Sequence, residues 1–278
     1  MTPQEITDFG PNPGALRMFE YVPSTVGAHP AVVVVLHNCT GSGPGMFAST
    51  RYASLADRHG FIAIYPSVTR SFDCFDVSSP GSLRHGGGGD PLSIVSMVRF
   101  VERRHRADGE RVFATGLSSG AMMTNVLLGA YPDVFRAGAA YAGVPFSAFA
   151  TTGGSQWNEA CAQGTFTRTA REWGDAVRAA FPGFRGPWPR VQLWHGTADD
   201  TLFYANFCEE IKQWTNVHGL SQTPTTTDHP EPAWTRTRYA DGSGRVQVEA
   251  ISEEGMTHDI PLQEAATIEF FGLDATDR

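Results

Sequence analysis

The sequence contains little cysteine, and its four cysteines follow no known metal-binding or disulfide pattern. Cys39, Cys74, Cys161 and Cys208 are widely separated, and neither C-x-x-C nor H-E-x-x-H spacing occurs among them and the nine histidines. This excludes a disulfide-rich scaffold and indicates no metal site. Because four is an even number, two disulfides can form in an oxidising compartment, and the sequence alone leaves their pairing open.

Excess positive charge and long apolar runs are also missing. The chain carries 21 Lys and Arg against 29 Asp and Glu, and its arginine cluster at positions 99–106 lies on the polar side of a predicted helix. We therefore expect no nucleic-acid partner. No apolar run is long enough to cross a bilayer, so we expect no membrane partner. The first residues, "MTPQEITDFG", lack the regions of a signal peptide, which leaves a cytoplasmic chain or the mature form of an exported one.

Strand-like and helix-like segments alternate along the 278 residues. The run "AVVVVLH" is continuously apolar, which is typical of a parallel strand buried on both faces, and similar runs recur. The pattern predicts one α/β domain over residues 1–278, with a mainly parallel sheet and helices on both faces. The segment 45–60 is predicted as one helix. Two stretches, residues 68–89 and 146–170, show no regular period and are predicted to be insertions.

The stretch "VFATGLSSGAMMTNVLLGAYP" joins a predicted strand to a predicted helix through Gly-x-Ser-x-Gly. This pattern is centred on Ser118, with Gly116 and Gly120 on either side. At a strand-to-helix turn it holds the serine exposed at the start of the helix, where unpaired N–H groups lie. We therefore predict that Ser118 is a nucleophile, rather than a capping serine or its neighbour Ser119.

A serine nucleophile needs a base, and the base needs an orienting acid. In α/β-hydrolases the chain order is serine, acid, histidine. Asp199 follows the strand-like run "RVQLWHG" and is the predicted acid, with Asp200 as the alternative. His258 lies between a strand and the last helix and is the predicted base. His218 is predicted at a helix end, and His229 lies in a proline-bounded loop.

Stabilisation of a developing oxyanion requires backbone N–H donors. One is expected from Ser119, which follows the nucleophile. The other is expected from Cys39 or Thr40, in the loop after the strand "AVVVVLH". No cofactor is needed for this chemistry.

Several longer motifs resemble one family. They are "LHNCTGS", "FDVSSPGSLRHGGGGD", "GLSSGAMMTNVLLGAYPDVF", "YAGVP", "QWNEACAQG", "LWHGTADDTL" and "EEIKQWTNVHGLSQTP". In this order they resemble the PHB-depolymerase-like esterases of carbohydrate esterase family one, and most of all its acetylxylan esterases. The resemblance covers residues 6–272. It implies an α/β-hydrolase fold, no cofactor, a Ser118–Asp199–His258 triad, and a polysaccharide or small ester as substrate.

The same resemblance points to Trp157 as an aromatic wall of the substrate site. Phe75 stands where the family has a tryptophan after the cysteine that matches Cys74, and we expect it to contact substrate too. Asn38 replaces a common glycine, and "GVPFSAFA" lacks the cysteine that often pairs with the one matching Cys161. Of the two locations left open above, we expect export, with the chain as a mature form without its signal peptide and a cytoplasmic location as the alternative. We expect no obligate protein partner.

Three functions are consistent with the sequence. The first is a serine carboxylesterase that removes O-acetyl groups from xylan or a similar plant polysaccharide. A feruloyl esterase or short-chain polyhydroxybutyrate esterase would use the same scaffold. The second is an acyltransferase, which would need a site that excludes water. The third, a non-catalytic carbohydrate-binding protein, is disfavoured because all three triad residue types are present.

Overall fold

The computed structural model describes residues 2–150 and 155–274. These residues form one ten-stranded sheet in the order β1-β2-β4-β3-β5-β6-β7-β10-β9-β8. The strands are β1 (Gln4–Ile6), β2 (Arg17–Tyr21), β3 (Val32–Leu36), β4 (Ile62–Ser67), β5 (Val112–Leu117), β6 (Ala137–Tyr141), β7 (Arg190–Gly196), β8 (Thr226–Asp228), β9 (Trp234–Ala240) and β10 (Val246–Glu253). The helices are α1 (Gly43–Ser49), α2 (Tyr52–His59), α3 (Gly89–His105), α4 (Ser119–Ala130), α5 (Glu159–Ala162), α6 (Ala170–Ala180), α7 (Ala205–Val217) and α8 (Glu264–Phe271).

Six central strands, β4, β3, β5, β6, β7 and β10, run parallel to one another. Antiparallel strands cover both edges: β1 and β2 on one side, β9 and β8 on the other. The predicted α/β-hydrolase fold is confirmed. The short edge strands β1 and β8 are not apparent from the sequence, because three residues carry too little pattern.

Helices pack on both faces of the sheet, as predicted. In β3, Val32 and Val34 point into a core with α3, α4, α6 and α7, whereas Val33 and Val35 point into a core with α1, α2 and α8. Since successive side chains of a strand alternate between faces, a strand buried on both sides must be apolar throughout. This explains the continuous run "VVVVL".

Where the sequence predicts one helix over residues 45–60, the structure has two. The backbone of Thr50 is extended, and the N–H of Arg51 donates to Oε1 of Glu264 at 3.0 Å. This contact spans 213 residues and replaces a helical hydrogen bond, so local pattern could not reveal it.

The two predicted insertions are largely irregular. The first holds a 3₁₀ turn at Ser71–Asp73 and ends where α3 begins. The second contains α5, and its residues 151–154 lie outside the described residues.

Candidate active site

Ser118 lies at a sharp turn between β5 and α4, as the sequence predicts. Its φ of 55° and ψ of −116° are unusual for a residue with a side chain, and such strain costs about 1–3 kcal/mol. The turn is held by the N–H of Ser118, which donates to Tyr141 O at 2.8 Å, and by the carbonyl of Ser118, which accepts from Met122 N at 2.9 Å. The hydroxyl therefore stands at the carboxyl end of a central strand.

Both flanking glycines are required by close backbone approach. A Cβ on Gly116 would lie 2.6 Å from the carbonyl oxygen of Gly120, and a Cβ on Gly120 would lie 2.3 Å from the carbonyl oxygen of Leu36. These distances are far below van der Waals contact. Helix α4 can thus start against β3 only because neither position carries a side chain.

His258 connects the serine to the acid. Its Nε2 lies 2.9 Å from Oγ of Ser118, and its Nδ1 lies 2.8 Å from Oδ2 of Asp199. With the proton on Nδ1 donated to the carboxylate, Nε2 is left to accept the serine hydroxyl proton. The structure thus brings the three predicted triad residues into one hydrogen-bonded chain. Asp200 is exposed and is not part of it.

Asp199 is buried and receives several donors. Its Oδ1 accepts the N–H groups of Thr201 and Leu202 at 2.9 and 2.8 Å. Burial by itself would raise the pKa of the Asp199 carboxyl, but hydrogen bonds from His195 and His258 outweigh it and hold that pKa well below its usual range. Asp199 is therefore a carboxylate at neutral pH, which is the form that orients an imidazole.

His195 is a neighbour of the site whose role the sequence did not reveal. It is fully buried, and its Nε2 lies 3.1 Å from Oδ2 of Asp199 and 2.8 Å from the carbonyl oxygen of Leu202. Its Nε2–H therefore has the Leu202 carbonyl as its nearer acceptor and also faces the carboxylate oxygen that His258 contacts. The only signal in the sequence was the four-residue spacing between His195 and Asp199.

The loop that carries His258 is docked on the turn that carries Asp199. The strands that lead to them, β7 and β10, are adjacent and parallel. Ala198 N donates to Met256 O at 2.9 Å, and a Cβ on Gly196 would lie 2.2 Å from that carbonyl oxygen. A glycine at position 196 thus lets the histidine loop approach the acid.

Of the predicted oxyanion donors, the structure retains Ser119 and Cys39. Among the described residues, neither backbone N–H donates to a protein acceptor, and both residues line the same cavity as Ser118. The prediction for Thr40 is wrong. Thr40 has a φ of 61°, and its N–H donates to the carbonyl oxygen of Phe72 at 2.7 Å. That donor is therefore already used.

One disulfide supports this donor loop. Cys39 is bonded to Cys74, which ties the loop after β3 to the first insertion. Cys161 is buried and free, and Cys208 is exposed and free. Burial raises the pKa of the Cys161 thiol, which makes it unreactive. The pairing that the sequence left open is thus one disulfide, not two.

The side chain of Ser119 has a structural role. Its Oγ accepts the N–H of Phe75 at 2.8 Å, and only 2% of the residue is exposed. The contact draws the insertion over the nucleophile turn and places Phe75 in the wall of the cavity. The Phe75 ring also packs on His37, with ring centroids 4.7 Å apart.

The cavity beside Ser118 is small and apolar. Its volume is about 50 Å³, and its apolar walls are Phe75, Val77, Met122, Phe149 and Trp157. A water-sized group needs roughly 10–15 Å³ of such space, so there is room for only a few non-hydrogen atoms.

Trp157 stands at the mouth of this cavity, as expected. It is 48% exposed, its ring meets Phe149 edge-on, and its Nε1 donates to Glu159 at 2.6 Å. These two contacts orient the indole, and about half of the residue stays exposed to solvent.

Within residues 2–150 and 155–274, no three or more His, Cys, Asp or Glu side chains gather to hold a metal ion. In the same residues, no helix combines the length and apolarity needed to cross a membrane.

Sequence and structure comparisons identify relatives along nearly the whole chain. Feruloyl esterase B of Talaromyces stipitatus is 43% identical over 272 residues, which is 97% of this chain and 75% of that protein. The acetylxylan esterase of Coprinopsis cinerea is 42% identical over 275 residues, or 97% of this chain and 72% of that protein. A solved structure, an acetyl xylan esterase from Aspergillus awamori, superposes with a TM-score of 0.94 at 38% identity, covering 98% of this chain and 100% of that one. Residues 18–178 match the family described as esterase PHB depolymerase, and the chain belongs to that family.

Proposed function

We propose that this esterase removes O-acetyl groups from xylan or a similar plant polysaccharide, with Ser118 as nucleophile, His258 as general base and Asp199 as orienting acid. The observation that carries the proposal is the hydrogen-bonded chain from Ser118 Oγ through His258 to Asp199, beside a cavity with room for a small acyl group.

The reaction follows from this geometry. His258 Nε2 takes the hydroxyl proton as Ser118 Oγ attacks the ester carbonyl, and the N–H groups of Ser119 and Cys39 stabilise the oxyanion. Collapse of the tetrahedral intermediate releases the sugar hydroxyl, which takes the proton from His258. Water then attacks the acyl-enzyme with the same base, which frees acetate and Ser118.

The acetyl preference is supported by the volume of the cavity. A feruloyl group carries an aromatic ring, and the space between Phe75, Met122 and Phe149 is too small for one. Feruloyl ester hydrolysis is the second candidate, because relatives more than 40% identical are named feruloyl esterase B. Trp157 lines the same cavity and is half exposed, so movement of its side chain would enlarge the space for a ring.

The deciding experiment is a hydrolysis panel of acetylated xylan, methyl ferulate and short polyhydroxybutyrate oligomers, with and without an added alcohol acceptor. We expect acetate release from xylan to have the largest kcat/KM and the alcohol to take little of the acyl group. Faster hydrolysis of methyl ferulate would assign the chain to the second candidate. Dominant transfer to the alcohol would show an acyltransferase.

We also propose that the chain is exported and acts as one catalytic domain. The Cys39–Cys74 disulfide supports an oxidising compartment, and the continuous sheet supports a single domain. Activity recovered mainly from the cytoplasm of the native organism would contradict export, and two separate calorimetric unfolding transitions would contradict the single domain.

A further inference from the structure

A second cavity lies at the amino-terminal ends of the central strands, on the opposite side of the sheet's length from Ser118. Its volume is about 370 Å³, within the range of small-molecule sites. It is bounded by Arg111 just before β5, Arg136 just before β6 and Arg190 at the start of β7. Ser118 and Asp199 follow the other ends of these strands, so this cavity is separate from the ester-binding cavity.

The cavity is strongly positive. Arg111, Arg136, Arg190 and Arg245 line it together with one carboxylate, that of Glu110. Arg136 Nη2 lies 2.6 Å from Glu110, but 79% of that glutamate side chain is exposed, so the pair is largely screened by water. The lining thus has an excess of three positive charges in a chain whose net charge is −8.

Arg136 is paired with Glu110, whereas Arg190 and Arg245 lie close enough for their positive charges to act on each other. Burial, and then the positive charge of Arg245, lowers the pKa of Arg190, although the carboxylate of Glu249 acts in the opposite direction. Arg190 donates to the carbonyl oxygen of Phe270 and packs over the Phe270 ring at 4.5 Å, which fixes its orientation. In the part of the chain that the structure describes, Arg111 and Arg245 make no ion pair with a carboxylate. A bound anion would relieve this mutual repulsion.

The remaining lining suits a sugar ring. Trp188 is partly buried and packs edge-on against Phe184, with ring centroids 5.1 Å apart. Gln247 contributes an amide whose Nε2 donates to Oδ2 of Asp241 at 2.6 Å, which leaves its oxygen and its second N–H for a ligand. An aromatic face beside an amide can hold the apolar face and the hydroxyl groups of a sugar. The planar guanidinium fork matches the two oxygens of a carboxylate.

We propose that this cavity binds a saccharide that carries a carboxylate group, such as a uronic acid substituent of a polysaccharide. The choice of a saccharide rests on the proposed function, whereas the preference for an anion rests on the arginines alone. Because the cavity is far from Ser118, it binds a part of the polymer other than the ester being cleaved. Such a second contact raises the local concentration of ester groups without altering the chemical step.

Binding is tested by calorimetric titration of the Ser118→Ala protein, which does not consume ester groups. The probes are a xylo-oligosaccharide bearing glucuronic acid, the same oligosaccharide without it, and inorganic phosphate. We expect the acidic oligosaccharide to bind at least tenfold more tightly than either other probe, and its affinity to fall as salt is added.

The double substitution Arg111→Gln with Arg245→Gln should weaken this binding at least tenfold. Arg103→Gln with Arg171→Gln removes the same charge from exposed positions outside the cavity and should change it less than twofold. Arg245→Gln alone, at an exposed position, serves as a milder variant should the double one fold poorly. Equal affinity for both oligosaccharides, tighter binding of phosphate, or equal loss in both double variants would overturn the proposal.

The two proposals fail in different ways. With Ser118 intact, the Arg111→Gln, Arg245→Gln protein should hydrolyse 4-nitrophenyl acetate at a rate within twofold of the original protein, while its apparent KM for acidic xylan rises. A lower rate on 4-nitrophenyl acetate would show instead that the arginines are structural. If the unsubstituted protein does not deacetylate xylan, the proposed function is contradicted, but the binding result still stands.

Discussion

The turn that carries Ser118 and the loop that carries His258 bring their side chains to within hydrogen-bond distance by different means. The first is local: two glycines within five residues allow a strand, a turn and a helix to pack closely. The second is long-range: His258 lies 59 residues from Asp199 and 140 from Ser118, and its position depends on the pairing of β7 with β10. The local half should therefore be disrupted by added volume, and the long-range half by lost hydrogen bonds.

The largest effect is expected from Ser118→Ala, which removes the nucleophile that the local turn presents. We expect kcat/KM for ester hydrolysis to fall by about 10⁵-fold or more, because Ser118 is the hydroxyl that meets His258 in the described residues. Steady-state hydrolysis of 4-nitrophenyl acetate measures the loss, and circular dichroism should show an unchanged fold. In Ser119→Ala we expect a much smaller loss of activity. A larger loss in Ser119→Ala than in Ser118→Ala would identify Ser119 as the nucleophile.

The long-range half is broken by Asp199→Asn, for which we expect a loss of about 10⁴-fold in kcat, since an amide does not hold the required tautomer of His258. Asp200→Asn is the matched control, because that side chain is exposed, and should retain activity within twofold. Comparable losses in the two variants would contradict Asp199 as the acid.

The packing of the local half is tested by Gly120→Ala. The added Cβ would overlap the carbonyl oxygen of Leu36, so we expect about 1–3 kcal/mol of destabilisation and a melting temperature lower by several degrees. Gly27→Ala is the control, since no atom of residues 2–150 or 155–274 lies within 4 Å of its added Cβ. Equal melting temperatures in the two variants would show that α4 shifts without cost.

A hydrogen bond between α7 and α4 links the two halves, and the pH dependence of stability tests it. Glu210 on α7, the helix after the Asp199 turn, accepts a hydrogen bond from Asn125 on α4, the helix after Ser118. Burial raises the pKa of Glu210 to about 8. The unfolded chain ionises this group near pH 4.3, so its contribution to stability is complete below that pH and is lost as pH rises toward 8.

Urea unfolding between pH 5 and 8 should therefore show this group lowering stability by about 1.4 kcal/mol per pH unit. Glu210→Gln keeps an oxygen for Asn125 and cannot ionise, so its stability should fall less steeply. Parallel pH profiles for the two proteins would show that Glu210 is already charged when buried.

The smallest effect concerns the mouth of the cavity. Trp157→Ala should open it and raise kcat/KM for butyrate or ferulate esters relative to acetate by about three- to tenfold. An unchanged acyl preference with an earlier melting transition would show that Trp157 only packs the insertion.

The local features were predictable from short stretches of sequence. The Gly-x-Ser-x-Gly turn and the apolar central strands follow from residue size and periodicity over five to ten positions. The break between α1 and α2 was not predictable, because it depends on Glu264, 213 residues away. The hydrogen bond from the Thr40 N–H to the carbonyl oxygen of Phe72 was not predictable for the same reason, because Phe72 lies in an insertion without periodicity.

The sequence by itself determined the fold class, the serine turn and the types of residue that complete the site. Only the tertiary structure decided that Asp199 rather than Asp200 meets His258, that His195 shares its carboxylate, and that Cys39 pairs with Cys74. It also brought together in one cavity four arginines that lie far apart along the chain, at the starts of strands that are neighbours in the sheet. The physical reason is that strand pairing brings together ends that lie far apart along the chain, and neither propensity nor spacing records which ends those are.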